Sequence, residues 1–155
     1  MVITMGSQLN IIPHENVYAF MMGGRAVVTF YNPVTNKQFT YSISRQKQNA
    51  DSAHKGLVFW VETRDDLIGY IRGDVYIEHY KDSTARIRRM DAISAFRNMW
   101  KLIVNNAIPK QIQVIHDGKC SYCRKPLRDA TSLATGLGPE CSKKLGITSP
   151  LKATT

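Results

Sequence analysis

From residue 25 to residue 80 the apolar positions recur as they do in β-strands. Residues 25–31 are rich in β-branched and aromatic side chains, and residues 37–43 place Phe39, Tyr41 and Ile43 on one face by alternation. Between them, Asn32, Pro33 and Asn36 supply turn chemistry, so the pair reads as a β-hairpin. Residues 45–56 are polar and predict a loop. Residues 57–63 form a short apolar run before the charged turn Arg64-Asp65-Asp66, consistent with a central strand. Residues 68–72 and 74–80 complete the set, with Gly73 as a bulge or bend. The expectation is a small, mostly antiparallel sheet of four or five strands.

Helical spacing begins only after Met90. Ile93, Phe96, Met99 or Trp100, and Ile103 fall on one face, while Ser94, Arg97, Asn98 and Lys101 point elsewhere. Asp91 complements the dipole at the start, and Asn105, Asn106 and Pro109 stop the helix. Such a helix covers one face of the sheet. The fold class that follows is α+β: a sheet packed by one helix over residues 1–109, a small zinc module over 110–147, and a flexible tail over 148–155.

The chemistry lies in the module. Cys120-x2-Cys123 places two thiolates in one tight turn, where both reach a tetrahedral ion at about 2.3 Å. Pro139 predicts the start of a short helix that ends at Gly146, and Cys141 falls in its first turn, where the dipole favours a thiolate. This knuckle-plus-helix outline is that of treble-clef and ribbon zinc modules. Their helical half often supplies two ligands, but here Ser142, Lys143 and Lys144 follow Cys141. His116, at the end of the strand-like run 113–115, is the nearest suitable fourth ligand. His14, His54 and His79 are alternatives, with Asp117 and Asp129 as carboxylate options. A segment of about 30 residues cannot bury enough apolar surface to fold unaided, which makes one structural zinc ion the expected cofactor.

The same residues carry a resemblance. Cys120-x2-Cys123, Leu127, Ser132 and Gly136-Leu-Gly-Pro-Glu-Cys141 resemble the pattern of a family of small, uncharacterised zinc-binding domains common in bacteriophage genomes. The likeness covers residues 114–146, and family members with a histidine just before the first cysteine support His116 as a ligand. It implies a zinc site and a phage or mobile-element origin, and brings no activity with it. The preceding region, with Phe39-Thr40-Tyr41 and Ala95-Phe96, looks like the β-rich partner of such modules. A looser likeness is to WGR domains, which touch DNA ends, although Ile71-Arg72-Gly73 stands where their signature tripeptide would be.

Charge adds a direction. The chain of 155 residues carries 21 Lys and Arg against 12 Asp and Glu, a net +9, and the excess is C-terminal. Polyanions are favoured partners of such a surface because neutralised phosphates release counterions. Arg86, Arg88 and Arg89 form the densest cluster, beside Tyr76 and Tyr80, and Lys143 and Lys144 flank the same anion if the zinc helix faces it. The sequence therefore predicts a nucleic-acid-binding protein. The alternative is a protein-binding factor, a phage product that docks on and modulates a host enzyme or defence complex, with Phe20-Met21-Met22 as a contact. An enzyme is not expected, since no triad, phosphate-binding glycine loop or carboxylate pair can be assembled, and a histidine-metal nuclease would need a second histidine near His116. No small-molecule substrate is evident. The absence of an 18-residue apolar run or a signal sequence, and three cysteines confined to one segment, predict a cytoplasmic protein without a membrane span.

Overall fold

The computed structural model describes residues 10–46 and 58–144. The first helix, α1 (His14–Met21), precedes five strands: β1 (Arg25–Asn32), β2 (Lys37–Arg45), β3 (Val58–Thr63), β4 (Asp66–Arg72) and β5 (Val75–Glu78). Two helices follow, α2 (Ser83–Arg88) and α3 (Met90–Val104), then β6 (Gln113–His116), α4 (Ala130–Thr135) and α5 (Pro139–Lys144). The strands form one antiparallel sheet in the order β5-β4-β3-β2-β1-β6. The α+β class read from the sequence is therefore correct, with one strand more than expected.

The added strand is β6, which lies beside β1 with Val28 opposite His116 and Phe30 opposite Val114. Sequence assigns this run to the zinc module, but its backbone completes the sheet. The run 113–115 reads as strand-like, but nothing local shows that it joins the sheet, because its N–H and C=O groups find their partners far along the chain.

Local chemistry sets the turns. Asn32 Oδ1 accepts the Val34 N–H at 3.0 Å, and Asn36 takes a left-handed φ of 57°, as the first hairpin requires. Arg64 and Asp65, at φ 49° and 67°, make a two-residue connection whose positive φ angles match the twist of β3 and β4.

The core lies on one face of the sheet. Val28 and Phe30 of β1, Tyr41 and Ile43 of β2, Phe59 and Val61 of β3, and Ile71 of β4 meet Ile93, Phe96 and Trp100 of α3. Phe96 is central: its ring contacts Tyr41 at 4.9 Å, Tyr76 at 4.8 Å and Trp100 at 6.2 Å between centroids. The buried Tyr41 hydroxyl donates to Ala92 O at 2.6 Å, so no polar atom is stranded there.

Two elements correct the sequence reading. Residues 14–21 are helical, and Phe20 and Met21 are fully buried, so the proposed Phe20-Met21-Met22 contact belongs mostly to the core. Helix α2 lies before Met90, ahead of the point where helical spacing begins in the sequence. Asp82 caps it by accepting the Ala85 N–H at 2.8 Å, a pattern masked in sequence because only one of its residues, Ala85, is buried. The loop predicted over 45–56 and the tail over 148–155 lie largely or wholly outside the described residues. No helix among the described residues is long and apolar enough to cross a membrane.

Candidate metal centre and basic surfaces

The chain leaves β6 at His116 and turns at once into a knuckle. Cys120 N–H donates to Lys125 O at 2.9 Å, Arg124 N–H to Cys120 O at 2.9 Å, and Leu127 N–H to Gly118 O at 2.9 Å. Arg124 takes a left-handed φ of 67°, which closes the turn and directs Cys120 and Cys123 inward. Asp129 then caps α4 by accepting the Ser132 N–H at 3.1 Å, and Gly136 ends the helix in the left-handed region at φ 72°. Helix α5 follows and delivers Cys141.

The three sulfur atoms lie within 4.8 Å of one another. Zinc held at about 2.3 Å by tetrahedral thiolates needs sulfurs about 3.8 Å apart, so a small contraction seats the ion. Cys120 and Cys141 are buried, Cys123 half-buried, and none is disulfide-bonded. Cys120 Sγ accepts from the backbone N–H groups of Tyr122 at 3.4 Å and Gly138 at 3.3 Å, donors suited to a thiolate. Burial pushes the Cys120 thiol up, but these donors, with Cys123 N–H and the Cys141 thiol, outweigh it and bring it to about 7. Burial and the two neighbouring sulfurs push the Cys141 thiol up to about 12. A dication bound by the three sulfurs would displace the thiol protons they carry. The donor set is that of a soft-metal site. Three cysteines are the ligands that the described residues bring together.

His116 is not among them. Its Nδ1 accepts the Gly118 N–H at 2.8 Å, and its Nε2 donates to Leu133 O at 2.8 Å. That pairing fixes the neutral tautomer and occupies both ring nitrogens, leaving none for a metal. Only 2% exposed, the imidazole is held below its usual range mainly by burial. The expected fourth ligand is thus a structural pin joining β6 to α4. His14 is likewise engaged, with Nε2 on Ile112 O at 2.7 Å, and His79 packs against Trp60 and Tyr70. Asp117 pairs with Arg124 and Asp129 caps α4, while His54 lies outside the described residues.

Two close approaches seat the module on the sheet. A Cβ on Gly136 would stand 2.1 Å from Phe20 Cδ1, and one on Gly23 would stand 2.1 Å from Ser121 Oγ. Both positions need glycine for contact, and Gly136 needs it for φ as well. The module keeps a small core of its own, Cys120, Leu137 and Cys141, edged by Tyr122 and Leu127.

The basic residues divide into two surfaces. Arg88 meets Asp66 through Nε at 3.1 Å and Nη2 at 2.9 Å, and Arg89 Nε meets the same carboxylate at 2.6 Å. The Arg88 and Arg89 hydrogen bonds hold the Asp66 carboxyl down at about 2. Arg86 interacts with the Tyr80 hydroxyl. The 86–89 cluster is therefore a helical corner whose charge is partly neutralised. Lys143 and Lys144 are exposed on α5.

Residues 116–146 match a family of unknown function, DUF6011. No curated protein and no solved structure matches the chain. The family match spans the knuckle, α4 and α5, the part that holds the cysteine cluster.

Proposed function

We propose that this chain is a zinc-stapled nucleic-acid-binding protein that acts by binding rather than catalysis, with Cys120, Cys123 and Cys141 holding one structural zinc ion. The observation that carries the reading is the surface of the module. Lys119, Lys125, Arg128, Lys143 and Lys144 are all exposed, and none forms an ion pair among the described residues. The four ion pairs found among the described residues all use arginine, which leaves these lysines to solvent and to polyanions. A metal centre built from three thiolates, two of them buried, supports a structural role. A cytoplasmic phage or mobile-element product accords with this reading and with the sequence resemblance.

The test is an anisotropy titration of the zinc-loaded chain with labelled single- and double-stranded DNA and RNA at several salt concentrations. Micromolar or tighter binding that weakens with salt is expected. Changing Lys143 and Lys144 together to Glu should weaken it for every strand type and lower the salt slope by about two. Salt-independent or undetectable binding rejects the reading. The protein-docking alternative gains support from the corner between α2 and α3. There Ile87 and Met90, 64% and 48% exposed, line a cavity of about 500 Å³ with Phe39 and Arg64.

A further inference from the structure

The sheet has two faces, and among the described residues α3 covers only one. On the other, the outward residues of β2, namely Gln38, Thr40, Ser42 and Ser44, are all exposed. Trp60 of β3 stands opposite Tyr70 of β4, with ring centroids 5.4 Å apart at 61°. His79, just beyond β5, completes the cluster at 6.3 Å from each ring. The half-buried rings sit beside the exposed Val75 and Ile77. Strand alternation sends Trp60 and Tyr70 to the face away from Phe96, where they pair across the strands and, only half-buried, keep part of their ring surface accessible among the described residues.

Next to the rings the face changes character. Thr40, Ser42, Ser44, Glu62, Arg64 and Asp65 line a cavity of about 480 Å³, bringing hydroxyls, two carboxylates and a guanidinium beside the aromatic patch. We infer that this open face binds single-stranded nucleic acid, with bases stacking on Trp60 and Tyr70 and their edges and backbone meeting the hydroxyl row and Arg64. The inference rests on the nucleic-acid reading above and names its substrate class and a second surface.

Three features favour this occupant over another protein or a second copy. Bases need flat π-faces on neighbouring strands, and a Trp–Tyr pair supplies them without sequence preference. The patch is half aromatic and half hydroxyl, whereas a stable protein interface buries a continuous apolar centre. The chain's net charge of +9 draws a polyanion, Arg64 offers a phosphate contact on this face, and Glu62 and Asp65 can accept from the amino groups of unpaired bases.

The two tryptophans make the test direct. Trp100 is buried in the core and Trp60 is not, so Trp100→Phe leaves Trp60 as the sole indole reporter. Titrating that full-length, zinc-loaded variant with unlabelled oligo-dT and oligo-U should quench its emission; a matched duplex should not. In anisotropy, Trp60→Ala with Tyr70→Ala should weaken single-strand binding at least tenfold and leave duplex binding unchanged, and Trp60→Phe should retain most of it. Unquenched Trp60 during strong single-strand binding overturns the platform but leaves the charge-based reading intact. Binding of no nucleic acid overturns both. Self-association abolished by Trp60→Ala, without quenching by oligonucleotide, would assign the face to a second copy instead. If Trp100→Phe fails to fold, wild-type emission read with iodide separates the accessible indole from the buried one and carries the same outcomes.

Discussion

The sheet and the metal module solve the same problem with different means. Around Phe96 the sheet buries aromatic and branched side chains from five strands and two helices, enough apolar surface to offset chain entropy. The module's own buried core is Cys120, Leu137 and Cys141. Its order comes from caps, the knuckle's backbone hydrogen bonds and a site for an ion. On the proposed zinc reading, one region is stable by area and the other by ligation.

Breaking ligation has the largest expected effect. Cys141→Ser, or chelation of the wild type, should remove metal and unfold residues 118–144, since structural zinc contributes about 10–16 kcal/mol in comparable small modules. Metal analysis with hydrogen exchange should show protection lost in the knuckle, α4 and α5 and kept in β2–β4. Retained metal or uniform loss of protection would contradict the division. The mirror-image change is Phe96→Ala, expected to cost about 3–5 kcal/mol of global stability by denaturant titration while metal per folded chain stays constant.

The smallest effect sharpens the boundary. His116→Ala should cost about 2–3 kcal/mol by stranding Gly118 N–H and Leu133 O, yet leave metal stoichiometry at the wild-type value. Because burial lowers the His116 pKa, the unfolded chain binds the extra proton first. Its contribution is therefore fully present above about pH 6.5 and declines as pH falls through that value toward the folded pKa. His116→Ala should flatten that part of the stability profile. A fall in metal stoichiometry would restore His116 to the ligand set.

Particular residues show why the sequence was readable in some places and silent in others. Strands β1 to β4 and helix α3 were legible because Tyr41 and Ile43, or Ile93 and Phe96, repeat with the period of their element. The cysteines were legible because ligand spacing is a local rule. Helix α1 was missed because its Phe20 and Met21 are buried against β-strands and a later helix, without a side-chain cap to mark its start. The hydrogen bonds of His116 were out of sight for a related reason: ligand preference is visible in a motif, whereas Leu133 O and Gly118 N–H become its partners only after α4 folds back. The arginine cluster was half read. Its density was plain, but its shared counterion, Asp66, lies in a distant turn.

The pairing of β1 with β6 also dictates a timetable. Val28 and His116 stand near opposite ends of the described chain, so on the ribosome the first hairpin is made long before its outer neighbour. Until then β1 presents an open edge of unpaired amides and carbonyls, able to recruit any extended segment nearby. The strand that closes this edge is followed within a few residues by Cys120. Synthesis of the metal site thus coincides with the end of that exposure, and a nascent chain stalled before β6 carries an aggregation hazard that the finished protein has lost.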